Sequence, residues 1–254
     1  MNRLPATREM LQSDSPILPA DAARHLRAVR AKPGETVELF DGAGAVRAYS
    51  VEAGGSLRAC GPVVLFPESP VHIALFACVT KGSRWDWTVE KAVELGVARI
   101  IPVVSERTIV RFGTVAEREA KAVRWRRVAA DAARQSCAVW MPVVEAPVDF
   151  ARAVEEVRAF GGPVFAGLIS DPPPPPIVEA WNAECRRAGA APRRAAVFIG
   201  PEGDFTAGEA TALREAGAAG VSLGPTILRA ETASIYAAAA LSAAAEASRA
   251  EERK

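Results

Sequence analysis

Two Gly-Pro corners constrain this chain more than any other feature of it. Phe198-Ile-Gly-Pro-Glu-Gly-Asp-Phe205 and Leu223-Gly-Pro-Thr-Ile-Leu-Arg-Ala-Glu-Thr-Ala233 each follow a short apolar run, residues 195–199 and 220–223. Runs of that length and content read as buried strand ends. Each corner then leads into a helix-start signal: Thr206 with Glu209 three residues on, and Glu231-Thr232 ahead of an alanine-rich run. Two such strand-loop-helix corners place bare backbone N–H and C=O groups at one end of a sheet. That end is where open α/β sheets bind small ligands. Gly-Pro pairs are also ordinary loop punctuation, so two plain tight turns satisfy the same letters.

The rest of the chain supplies strands and helices for this frame. Residues 36–66 read as short β segments: 36–40 and 46–51 flank Asp41-Gly42-Ala43-Gly44, which has hairpin chemistry, and 63–66 is a further strand. Pro67-Glu68-Ser69-Pro70 makes a linker. The expected domains are therefore a small N-terminal β-barrel, 1–70, and an α/β domain, 71–254. After Pro70 strands alternate with helices. Strands are predicted at 71–80, 99–104, 164–169, 195–199 and 219–223, and helices at 87–95, 115–138, 177–187, 206–216 and 232–248. The near-continuous apolar run at 71–80 marks a strand covered on both faces, and the alternation implies a mostly parallel sheet. Pro172 to Pro176 reads as a stiff, exposed polyproline II insertion.

Composition excludes several classes. The four cysteines are scattered and there are only two histidines, so neither a metal site nor a disulfide framework is expected. The first twenty residues lack a signal-peptide pattern and no run is long and apolar enough for a membrane span, so a cytoplasmic protein is expected. G-x-G-x-x-G after a strand and the Gly-Lys-Ser/Thr phosphate loop are both absent, which disfavours NAD and ATP enzymes. Net charge is only +1, but residues 81–134 carry twelve basic against seven acidic side chains, whereas 135–254 carry eleven against fifteen. The middle third is the candidate polyanion-facing surface; the alternative is a solvated helix face.

Further blocks occur in order along the chain: His25-Leu26 with Val29 leading to Pro33-Gly34, Phe40-Asp41-Gly42, Lys81-Gly82 ahead of Glu94-Leu95-Gly96-Val97, Ser105-Glu106-Arg107, and Gln135-Ser136. Together with the two corners they resemble the bacterial small-subunit rRNA uridine N3-methyltransferases of the SPOUT class, over roughly residues 20 to 245. The resemblance implies a PUA-like barrel followed by a SPOUT domain with a C-terminal trefoil knot, a homodimer, S-adenosylmethionine as cofactor, and 16S rRNA or the small ribosomal subunit as partner. One block departs. The resembled motif reads Glu-Gln-Ser-Gly-Arg, whereas this chain has Arg134-Gln135-Ser136-Cys137-Ala138, with neither the acidic nor the basic member in its usual place.

The cofactor would be read by backbone groups. Ile199, Gly200, Pro201, Glu202 and Gly203 on the first corner, and Ser222, Leu223, Gly224, Ile227, Leu228, Arg229 and Thr232 on the second, are expected to cup it, with Leu168 facing the same pocket. The glycines allow close approach because they lack side chains. Uracil N3 holds a proton at neutral pH, so the reaction needs a proton acceptor and stabilisation of the ring charge. Glu231 is the candidate base or, alternatively, a carboxylate favoured by a helix N-terminus. Arg229 either stabilises that charge or clamps a phosphate or the backbone. Arg84, Arg107, Arg111, Lys121, Arg124, Arg126, Arg127 and Arg134 are expected to meet RNA; the five tryptophans read as core, with stacking on RNA as the alternative for Trp85 beside Arg84. The small residues of the last helix are expected to allow a dimer contact. Two other functions share these residues: methylation of another RNA position, such as a ribose 2′-hydroxyl, and RNA binding without catalysis.

Overall fold

The computed structural model describes residues 2–28, 30–69 and 71–252, so Val29 of the second-block motif and Pro70 of the linker lie outside the described residues. The chain divides into two units: Met1–Glu68 with Ala130–Met141, and Ser69–Ala129 with Pro142–Lys254. Residues 130–141, which a boundary at residue 70 would leave in the second domain, fold with the first unit.

The first unit holds a five-stranded mixed sheet. Strands β1 (Asn2–Pro5), β2 (Thr36–Phe40), β3 (Ala45–Val51) and β4 (Leu57–Ala59) pair in that order, and β5 (Val64–Leu65) pairs with β3. The β1–β2 pairing is parallel and the others antiparallel. Helices α1 (Arg8–Gln12) and α2 (Ala20–Ala28) contribute Leu11, Ala22 and Leu26 to a core with Leu4, Val37, Leu39 and Tyr49. Arg47 draws the loop after α1 onto β3, donating to the carbonyls of Leu11 and Gly61 and pairing with Asp14. Neither β1 nor β4 was predicted.

The second unit is a seven-stranded sheet, parallel throughout. The strands are β6 (His72–Cys78), β7 (Arg99–Val104), β8 (Val143–Val144), β9 (Val148–Asp149), β10 (Val164–Gly167), β11 (Arg194–Ile199) and β12 (Ala219–Val221). They run in the order β12-β10-β11-β6-β7-β8, with β9 also on β7. Helices α3 (Ser83–Glu94), α4 (Val115–Ser136), α5 (Phe150–Ala159), α6 (Ile177–Ala188), α7 (Ala207–Glu215) and α8 (Ala230–Glu252) connect and cover the strands, α4 running on into the first unit. The predicted parallel α/β class is found. Helix α5, which buries Ala153, Val154 and Val157, and strands β8 and β9 were not predicted.

Packing explains two departures from the sequence reading. Helix α3 starts at Ser83, four residues earlier than predicted, so Trp85, Thr88, Val89, Ala92 and Val93 form one buried stripe. Trp85 is thus a core residue tilted against Trp125, and it cannot stack on RNA. In α8 the small residues Ala230, Ala233, Ala237, Ala238, Ala244 and Ala245 are buried, and the helix packs on α3, α6, β6 and β11 of its own unit. The small-residue face expected to form a dimer contact is consumed by this internal packing.

Candidate functional site

Because β10, β11 and β12 are parallel neighbours, their carboxyl ends open at one edge of the sheet. Gly167 and Leu168, Ile199 and Gly200, and Ser222 stand there, lining a cleft with residues 223–228, Ala230 and Ala233. Of the expected cofactor residues, Leu168, Ile199, Gly200, Pro201, Glu202, Ser222, Leu223, Gly224, Ile227 and Leu228 line this cleft. Gly203, Arg229 and Thr232 do not. Gly203 is instead tied down through its carbonyl, which accepts a 2.7 Å hydrogen bond from Arg107 Nη1.

The first corner is wired by side chains. Thr206 and Glu209 form the predicted capping box, Oγ1 accepting from the Glu209 N–H and Oε2 from the Thr206 N–H. The second oxygen of Glu209 accepts from the Glu106 N–H at 2.8 Å, which fixes the segment after β7 to α7. Asp204, a residue that the sequence reading missed, holds two loops together: Oδ1 accepts from the Phe205 N–H at 2.8 Å and Oδ2 from the Ile169 N–H at 3.2 Å. Its φ of 58° lies in the left-handed region, where Asp is among the few tolerated side chains. The only hint in the sequence was an Asp following a glycine at a turn.

At the second corner the main anchors are local. Ser222 Oγ accepts from the Gly224 N–H and donates to its carbonyl, and the Ala233 N–H starts α8 by donating to the Arg229 carbonyl. The backbone N–H groups of Thr226, Ile227 and Leu228 donate to no partner among the described residues. Gly224 has a φ of 116°, a conformation open to glycine, while a Cβ there would touch nothing. A side chain at Gly224 would therefore meet no protein atom but would carry backbone strain. The proline run is more than an insertion: Pro173 lines the cleft, the Ser222 N–H donates to the Pro175 carbonyl, and the Ile177 N–H donates to that of Ser222.

A second cleft is bounded by Ser83, Arg84, Asp86, Trp87 and Glu90 of α3 and by Arg229, Glu231 and Thr232. The Glu231 side chain is only 8 % exposed. Its Oε1 stands 3.9 Å from Arg84 Nε, and its Oε2 is buried with no hydrogen-bond partner. Arg84 Nη1 lies 3.5 Å from Glu202 Oε1, so one guanidinium links the cofactor-cleft wall to Glu231. Arg229 and Glu231, the pair singled out for catalysis, thus line one cleft where α8 begins.

Most of the arginines assigned to RNA have partners within the chain. Arg107 and Arg111 donate to backbone carbonyls, Arg111 to those of Ser105 and Glu106. Arg126 donates to the Val144 carbonyl and pairs with Glu119, while Arg124 pairs with Asp86. Arg134 pairs with Asp131 and reaches His25 Nδ1 at 3.3 Å. Lys121 and Arg127 are exposed and have no ion-pair partner among the described residues. Just beyond Arg134, Cys137 has a φ of 60°, a helix-ending conformation usually given to glycine. Among the described residues no cluster could hold a metal, and no helix is long and apolar enough to cross a membrane.

A parallel α/β sheet with a backbone-lined cleft at the carboxyl ends of three adjacent strands defines an α/β protein built to hold a small ligand. Residues 67–242 match the model of the RNA methyltransferase domain, and the chain belongs to that family. It is 30 % identical to the ribosomal RNA small subunit methyltransferase E of Synechocystis sp. over 87 % of this chain and 70 % of the relative. Among solved structures, a methyltransferase from Legionella pneumophila in complex with S-adenosylmethionine superposes with a TM-score of 0.79 at 28 % identity, covering 95 % of this chain and 97 % of that one. The ribosomal RNA small subunit methyltransferase E from Neisseria gonorrhoeae, also bound to S-adenosylmethionine, gives a TM-score of 0.75 at 29 % identity, covering 96 % and 97 %.

Proposed function

We propose that this chain is an S-adenosylmethionine-dependent methyltransferase of small-subunit ribosomal RNA, and that its acceptor is N3 of a uridine in 16S rRNA. The observation that carries this reading is the pairing of the two clefts: one lined by backbone groups without partners among the described residues, the other by a buried carboxylate and, just ahead of α8, a guanidinium without an ion-pair partner among the described residues. Family membership and the names of the relatives support it.

The first cleft suits the cofactor chemically. Leu168, Ile199 and Leu223 offer apolar contact for a purine face, and the N–H groups of Thr226, Ile227 and Leu228 offer donors for ring nitrogens. When bound, S-adenosylmethionine supplies an electrophilic methyl carbon on a sulfonium. The remaining work falls to side chains. Glu231 accepts the N3 proton through Oε2, which has no hydrogen-bond partner among the described residues. Arg229 is exposed and has no ion-pair partner among the described residues; it meets negative charge gathering on the uracil oxygens. Holding acceptor and methyl carbon in line would contribute a large share of the acceleration.

The first unit and the exposed cations Lys121 and Arg127 are assigned to gripping RNA, with the barrel closure and C-terminal knot that the resemblance implies as the fold carrying them. A homodimer would use side chains other than the alanine face of α8, such as Ile227 and Tyr236, which are exposed. Mass analysis of 16S rRNA from a strain lacking the gene tests the proposal. One uridine should lose its N3 methyl group and regain it on complementation; rRNA with unchanged modification would rule out the assignment.

A further inference from the structure

The second cleft carries a side chain that neither the fold nor the reaction as described accounts for. On α3, Ser83, Asp86, Trp87 and Glu90 fall at helical spacing on one polar face, and Trp87 is 44 % exposed. Trp85, Trp125 and Trp181 are all buried. Trp87 also has no aromatic or cation–π partner among the described residues. A large flat ring left partly in water, in the same cleft as a nine-tenths buried carboxylate whose Oε2 has no hydrogen-bond partner among the described residues, is suited to a flat ligand that carries an N–H donor. The start of α8 serves both clefts: Ala230 and Ala233 line the cofactor cleft, whereas Glu231, Thr232 and the preceding Arg229 line this one.

Building on the methyl-transfer reading above, we propose that this cleft seats the target nucleobase, with Trp87 as its stacking platform and Glu231 as the group that selects its identity. Stacking supplies sequence-tolerant affinity, because every base has a π face. Selection comes from hydrogen-bond chemistry. Uracil presents N3–H as a donor between two carbonyl oxygens, which suits a carboxylate 3.9 Å from the Arg84 guanidinium in a cleft that Arg229 also lines. Cytosine presents a lone pair at the same ring position, which faces the carboxylate with repulsion and leaves its buried oxygen without a donor. Arg84, held between Glu202 and Glu231, links the seat to the cofactor loop and positions the carboxylate.

The test uses the full-length protein and small ribosomal subunits that lack the modification. Trp87→Ala should lower kcat/KM for subunits by about ten- to a hundredfold, the equivalent of one lost base stack, with the KM for S-adenosylmethionine within about twofold of wild type. Trp87→Phe should recover most of the loss, which separates stacking from a general packing defect. In the presence of S-adenosylhomocysteine, wild-type protein should bind subunits carrying the target uridine more tightly than subunits with cytidine there. Glu231→Gln should level the two, since an amide can donate or accept. Wild-type kcat/KM in Trp87→Ala, or equal affinity of the wild type for uridine and cytidine subunits, would overturn the inference. A wild-type protein that transfers no methyl group to subunits would remove the functional reading and this inference together; an active wild type with an indifferent Trp87→Ala would remove this inference alone.

Discussion

The two Gly-Pro corners look alike in sequence and are held in opposite ways. The corner after β11 is wired before any ligand arrives: Asp204 spans Phe205 and Ile169, Glu209 serves Thr206 and Glu106, and Arg107 holds the Gly203 carbonyl. The corner after β12 leaves three consecutive N–H groups without partners among the described residues and Ile227 81 % exposed. Unsatisfied backbone donors are expensive unless water or a ligand takes them. The lesson is a division of labour. One corner is scaffold, its geometry fixed by the fold, and the other is the reading edge, whose order depends on what it binds.

Five substitutions at the two corners can break or sharpen that contrast. The largest effect is expected on the reading edge. Arg229→Ala should lower turnover by about a hundredfold or more with cofactor affinity little changed, as measured by steady-state methyl transfer and calorimetry. Glu231→Gln belongs beside it: if Glu231 is the base, turnover falls and rising pH rescues it as the uracil proton leaves unaided, whereas a wild-type pH–rate profile would return Glu231 to a helix-end role. On the scaffold corner the readout moves from rate to stability. Glu209→Ala strands two backbone donors and should lower unfolding free energy by roughly 2 to 4 kcal/mol in urea titrations, and an unmoved midpoint would deny that this corner is wired as described.

The glycines give a finer comparison. A Cβ on Gly200 would meet Asp204 Oδ1 at 3.0 Å and the Phe205 nitrogen at 3.1 Å, so Gly200→Ala should disturb the Asp204 tether and lower the melting temperature. At Gly224 a Cβ meets nothing, but the φ of 116° is strained for alanine, by about 1 to 3 kcal/mol. Gly224→Ala should accordingly weaken S-adenosylmethionine binding more than it lowers the melting temperature. Equal effects of the two alanines on both readouts would erase the distinction. Away from both corners, Cys137→Gly relieves a left-handed side chain and should raise stability by about 0.5 to 1 kcal/mol with cofactor affinity unchanged. Burial pushes the Cys78 thiol up to about 12, so alkylation at neutral pH should label the exposed Cys60 and Cys137 and leave Cys78 untouched in the native protein.

The sequence made one part of the site legible and concealed another, for identifiable reasons. Thr206 and Glu209 are three residues apart, so their capping box is a local pattern, and the buried strands β6, β7, β10 and β11 announce themselves as apolar runs. Long-range partners leave no such trace. The bond from Arg107 to Gly203 spans 96 residues and that from Ile169 to Asp204 spans 35, so Arg107 read as a free cation and Asp204 as a turn residue. Helix phase is equally hidden. Placing the start of α3 four residues late hid which ring faces solvent: Trp85 is buried and Trp87 exposed. Strand β1 escaped because four residues gain strand identity only from parallel pairing with β2, more than thirty residues away.

Amide hydrogen exchange, followed with and without S-adenosylhomocysteine, tests the contrast between scaffold and reading edge most directly. Amides without hydrogen bonds exchange readily, and those in fixed networks do not. Thr226, Ile227 and Leu228 should exchange fast in the free protein and slow markedly on binding, while Phe205, Thr206 and Glu209 should be protected alike in both states. Protection at 226–228 that is already present without ligand, or that does not change when ligand binds, would contradict the account.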